Sequence, residues 1–171
     1  MPTTEWNDAI AFAEQAAHLA EEIDDQRLAA NCRIDQGAAN YRNDDPIETL
    51  KSYSQALEHF RNIGDQIEMA DTLCRMADVE FTSKNYDNCL LHASDALSLG
   101  EAEDNWWLIA FASFYIAKAN YFLDKEEISL QFLDKSRTYF RKRGDLEKVA
   151  MVDDFAATVH TYLENYEIAV N

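Results

Sequence analysis

Glycine and proline are scarce in this chain, at four and two of 171 residues. No phosphate-cradling loop can be built from glycines so few and so scattered, and no G-x-S-x-G motif is present. Cysteine is scarce too. Three cysteines, an odd number at no metal-ligand spacing, do not make a disulfide framework and fit a reducing compartment, so a cytoplasmic protein is expected. His18, His59, His92 and His160 stand singly, without an H-E-x-x-H pair, so no metal site is indicated and no cofactor is expected. Acidic pairs such as Asp24-Asp25, Asp44-Asp45 and Asp153-Asp154 read as helix starts or exposed turns rather than catalytic carboxylates. The chain is therefore expected not to be an enzyme.

Positive charge is the next deficiency. Fifteen Lys and Arg against 32 Asp and Glu leave a net charge of −17. A phosphate-binding surface needs concentrated basic residues, and the one cluster is Lys135, Arg137, Arg141, Lys142 and Arg143, which excludes direct nucleic-acid binding. The acidity leaves room for a basic partner. Long apolar runs are missing as well: Trp106 to Ala117 holds 12 uncharged residues, short of the roughly 20 that span a bilayer. The first residues carry no basic region ahead of an apolar stretch, so neither a membrane nor a signal peptide is expected.

What the chain does have is a period of 40. Gly37, Ala77, Ala117 and Ala157 are equally spaced, and so are Ala30, Ala70, Ala110 and Ala150. Thr49, Cys89 and Ser129 recur, each followed by leucine, as do the aromatics Tyr41, Phe81 and Tyr121. Asp25, Asp65, Asn105 and Asp145 open each unit. Agreement in so many columns is the signature of a solenoid, in which a unit buries its apolar face against its neighbours.

Each unit reads as two helices. Ala30, Ile34, Gly37 and Tyr41 follow i, i+4, i+7, i+11, and the pattern returns at Ala70 and Ala110. Leu50, Tyr53, Leu57 and Phe60 mark a second helix. Asp45 before Pro46, with Glu48 three residues on, is an N-cap, and Asp124 with Glu127 has the same spacing. Gly64, Gly100 and Gly144 fall where second helices are expected to stop. Gly37 falls in mid-helix, where close approach of a neighbouring helix accounts for it, and Cys74 and Cys89 fall in core columns.

With Gly or Ala in the first helix, a small residue twelve positions on (Thr49, Cys89, Ser129) and another seven beyond (Ala56, Ala96, Ser136), nearly the whole chain resembles a tetratricopeptide repeat. The Asn85-Tyr86-Asp87 turn is also typical of that family. The resemblance implies an all-α fold: an α-solenoid of antiparallel helix pairs, a right-handed superhelix of about eight helices. The period exceeds the family's usual one of about 34 and resembles the elongated repeats of bacterial peptide-sensing regulators and kinesin light chains. The aromatic after Gly or Ala comes one residue later than the family places it.

The expected layout is a single domain over 1–171, with an orphan second helix at 5–23, repeats over about 25–64, 65–104 and 105–144, and a terminal helix at about 145–165. Asn165-Tyr166-Glu167 repeats Asn85-Tyr86-Asp87, so another turn is expected there. Such phasing fits either a segment of a longer array or a small protein whose last residues fray.

In the resembled family the first helices line a concave groove. By position that points to Asn31, Tyr41, Arg42, Asp71, Asp78, Phe81, Phe111, Phe114, Lys118, Tyr121 and Phe122, with Ile34 and Cys74 beside them. The family's carboxylate clamp is absent, its places being held by Ile34 and Ala38, Cys74 and Asp78, and Phe114 and Lys118. Trp106 to Ile116 form a helix apolar all round, to be covered by neighbouring helices, a second copy in a homo-oligomer, or a bound segment. The expected function is non-catalytic binding of a protein or peptide as a scaffold or adaptor. The alternatives are an acidic decoy of a nucleic-acid-binding protein and a peptide-sensing regulatory domain.

Overall fold

The structure is a computed structural model that describes the backbone from Thr4 to Val170 and the side chains from Trp6 to Glu164. Over that range the chain is all-α, a solenoid of eight helices packed in consecutive order: α1 (Thr4–Glu22), α2 (Gln26–Arg42), α3 (Pro46–Asn62), α4 (Gln66–Thr82), α5 (Tyr86–Ala102), α6 (Trp106–Phe122), α7 (Glu126–Lys142) and α8 (Leu146–Val170).

The helices α2 to α7 are each 17 residues long. One device joins them all. Asp24, Asp44, Gly64, Lys84, Asp104, Asp124 and Gly144, each 20 positions after the last, have positive φ. The next residue sends its N–H back to a carbonyl of the previous helix, as in Asp45 N to Asn40 O at 3.0 Å and Asn105 N to Gly100 O at 2.9 Å. This closes one helix in a Schellman-like turn and starts the next. Asp25, Asp45, Asp65 and Asp145 then cap the new helix, their carboxylates accepting from the amides of Leu28, Glu48, Glu68 and Lys148 at 3.0–3.1 Å.

Four sequence expectations are corrected by this geometry. Asp124 does not cap α7: it takes the positive-φ position, and Lys125 stands at the N-cap without a side-chain bond. Gly100 does not end α5, which runs to Ala102. Its column is an interior one, where an added Cβ would meet the Leu108 Cβ at 3.0 Å. Asp153 and Asp154 lie exposed in the middle of α8 rather than at its start. The helix α8 also continues to Val170 through the expected turn at Asn165.

Small columns let the helices approach closely. A Cβ built on Gly37 would lie 2.4 Å from Cε1 of Tyr53, so the α3 ring occupies the space a side chain would need. In the next unit the pair is Ala77 and Ala93, both fully buried. Thr49, Cys89 and Ser129 are fully buried as well. Neighbouring helices cover α6: Leu108 and Ala112 pack with Leu73 and Met76 of α4, and Phe114 with Val152 and Val159 of α8. Among the described residues no helix is long and apolar enough to cross a membrane.

Candidate binding groove

A cavity of about 430 Å³ opens along α2, α4 and α6, with Tyr53 of α3 at its back. Its lining brings together Tyr41 and Arg42 from α2, Asp71, Cys74, Arg75 and Asp78 from α4, and Trp107, Phe111 and Tyr115 from α6. Three successive first helices thus contribute to one site. The 40-residue period is what repeats the positions around it.

The groove is polar at its centre and aromatic on one wall. Arg75 donates Nε to Asp71 Oδ2 at 2.7 Å, one helical turn away. Burial works against the Arg75 charge, but Asp71 and the Tyr53 hydroxyl more than compensate and raise its pKa. Asp78 accepts from the Tyr41 hydroxyl at 3.4 Å and also engages Tyr115. Burial, reinforced by the Asp78 charge, pushes the pKa of both phenols up, so both remain hydrogen-bond donors. The thiol of Cys74 is pushed up to about 12 by burial and stays protonated. On the wall, Trp107 and Phe111 tilt together with ring centroids 4.4 Å apart, and Trp107 is 37% exposed.

A second aromatic cluster gathers where α4 and α6 end. Lys118 Nζ lies 3.7 Å from the centre of the Phe81 ring, with Tyr115 and Phe114 at 5.2 and 5.4 Å. This cation is held by ring faces, and its burial lowers the Lys118 pKa against the opposing pull of Asp78. Phe122 stacks on Tyr86 at 4.8 Å and meets Phe81 edge-on at 5.5 Å.

The sequence-derived groove residues therefore divide. Tyr41, Arg42, Asp71, Asp78 and Phe111 line one cavity. Phe81, Lys118 and Phe122 form the adjoining cluster, and Tyr121 packs edge-on against Phe122, Phe155 and Tyr162. Asn31 is exposed on α2 outside the cavity. Phe114 is 7% exposed and belongs to the core beneath α8. Sequence reading missed Tyr53, Arg75, Trp107 and Tyr115. Arg75 and Tyr115 are one residue beyond Cys74 and Phe114, a rotation of about 100°. On α6, apolar on every side, periodicity carried no signal to fix that rotation. Among the described residues no group of three or more His, Cys, Asp or Glu is placed to hold a metal ion.

No protein-family model and no curated protein sequence matches this chain. Solved structures do match its shape. One is a Signal Transduction ATPase with Numerous Domains protein with a tetratricopeptide repeat sensor, from Pyrococcus horikoshii, with a TM-score of 0.79 and 20% identity over 87% of this chain. The fold is that of a tetratricopeptide repeat array. A second match, to BtubC (BKLC) from P. vanneervenii, has a TM-score of 0.78 and 15% identity over 94% of this chain and 67% of the other. This repeat array spans only 23% of the length of the Pyrococcus protein.

Proposed function

We propose that this chain is a non-catalytic scaffold that binds a protein or peptide segment in the groove along α2, α4 and α6. The observation that carries this reading is the cavity itself: three helices supply one site that combines exposed aromatic surface with an Asp–Arg pair and phenol donors. Such a mixture holds an extended peptide by stacking and directed hydrogen bonds. The Pyrococcus protein's repeats are described as a sensor, which makes a sensing role for the same groove the second reading.

Selection of a displayed random peptide library on the chain tests the proposal. Enriched peptides should lose at least tenfold in affinity for the double variant Tyr41→Ala, Trp107→Ala, residues that are 40% and 37% exposed, while circular dichroism shows the variant still folded, with a melting temperature lowered by the loss of two partly buried rings. Equal binding to parent and double variant would remove the groove from the site. If the chain is instead an acidic decoy, binding should weaken steeply with salt, whereas aromatic contacts are little screened.

A further inference from the structure

A second cavity, of about 460 Å³, lies on the far side of α4 from the groove, between the second helices α3 and α5. Leu57 and Arg61 of α3, Leu73 of α4, and Leu91, Asp95 and Leu99 of α5 line it. It shares no lining residue with the groove. Leu73 stands two residues before Arg75, which places it about 160° away around the helix. The cavity is in the middle of the array, with described helices on both sides.

The repeat period gives two equivalents of this cleft. In the preceding one Arg33 occupies the column of Leu73; it is 5% exposed and donates Nη2 to Glu21 Oε1 at 2.8 Å, while His59 lies 3.5 Å from the same oxygen. In the following one Lys135 donates Nζ to Glu101 Oε1 at 2.5 Å, and Phe132, in the column of His92, packs against the core. Glu21 and Glu101 both occupy the column of Arg61, and each is tied there to a cation of a neighbouring helix.

The middle cleft reverses the charges. Arg61 stands in the glutamate column and Asp95 in that of Lys135, and both line the cavity, yet no ion pair joins them or ties either to another described residue. Burial holds the His92 imidazole below its ordinary value, so near neutral pH Arg61 and Asp95 are the charged groups of the lining. The remainder is mainly aliphatic, from Leu73 at 6% exposure to Leu91 at 57%. A ligand with positive charge alone would be repelled by Arg61, and one with negative charge alone by Asp95. A small molecule that carries one charge of each sign and an aliphatic side chain satisfies both residues and buries apolar surface. The cavity volume falls in the range of roughly 300–1,000 Å³ usual for ligand pockets.

We propose that this cavity binds a free aliphatic α-amino acid, with its carboxylate on Arg61, its ammonium on Asp95 and its side chain against Leu57, Leu73 and Leu99. The site is separate from the groove and does not depend on what the groove holds.

Ligand-detected NMR titration of the chain with L-leucine tests this, beside isocaproic acid, which lacks the ammonium, isoamylamine, which lacks the carboxylate, and N-acetyl-L-leucinamide, which carries neither charge. Leucine should bind saturably. The acid and the amine should each bind more weakly by a factor of about ten or more, the loss expected for one charge-assisted hydrogen bond. Arg61→Gln and Asp95→Asn, both at exposed positions, should weaken leucine by a similar factor with circular dichroism unchanged. Arg61→Glu combined with Asp95→Lys installs the residues that bridge at Glu101 and Lys135, and should close the cleft and abolish binding. Absence of saturable leucine binding overturns the proposal. Equal binding of the neutral amide, the mark of a peptide segment in the cleft, overturns it too, and leucine binding that survives the charge exchange rules out this site.

Discussion

Gly37 and Tyr53 form a size-matched pair across α2 and α3, with 2.4 Å between Cε1 of the ring and the place a Cβ would occupy on the glycine. In the next unit Ala77 and Ala93 share that contact volume. Gly37→Ala should therefore destabilise by about 1–3 kcal/mol through overpacking, despite alanine's better helix propensity. Combined with Tyr53→Ala, it should cost clearly less than the sum of the single changes, because the pair then reproduces the neighbouring unit. Urea melts in a double-mutant cycle would show this, and strict additivity would mean that the ring moves aside freely.

Phe114 lies in the core under α8, whereas Trp107 opens on the groove. Phe114→Ala should cost about 3–5 kcal/mol and lower the melting temperature markedly. The same change at Trp107, 37% exposed, should lower the melting temperature clearly less. Equal losses would place both rings in one environment.

The imidazole of His92 is held below its ordinary value of 6.5 by burial, against the opposing pull of Glu80 and Asp95. Between the folded and unfolded values the unfolded state binds more protons, so stability rises with pH across that window and is lost as pH falls through it. His92→Phe, which installs the residue found in this column at Phe132, should flatten that acid-side slope. Denaturant midpoints measured from pH 5 to 8 (roughly the window in which histidine titrates) would reveal an unaltered slope if another group carried it.

Cys74 and Cys89 are buried, with thiols pushed up to about 12, and Cys32 is half-exposed. The thiolate is the reactive form. Iodoacetamide at neutral pH should therefore label Cys32 slowly in the folded chain and all three cysteines in denaturant. Mass spectrometry of the intact chain reads the count, and rapid folded-state labelling of Cys74 would contradict its burial.

Lys84 adopts positive φ in the turn where Gly64 and Gly144 have a glycine. A left-handed conformation costs a side-chain-bearing residue about 1–2 kcal/mol. Gly64→Ala should thus destabilise by about that amount, and Lys84→Gly should stabilise by somewhat less. Thermal melts that move in the opposite directions would show that the turns are not held by backbone conformation.

The period of 40, the paired helices and the opening caps at Asp25, Asp65 and Asp145 were legible in the sequence, because capping and apolar spacing are local and repeat with the chain. The tight site at Gly37 was legible too, as a small residue inside an otherwise regular column. Other features were decided only by packing. The first and second helices are equally long and turn by the same device every 20 residues, but their apolar columns differ, so the sequence displays only the doubled period. The cap of α7 shifted from Asp124 to Lys125 because the left-handed position is set by where the previous helix closes, not by which side chain caps best. On α6, where nearly every residue is apolar, only the flanking helices decide that Phe114 is sealed in the core while Tyr115, one residue on, faces Asp78 in the groove.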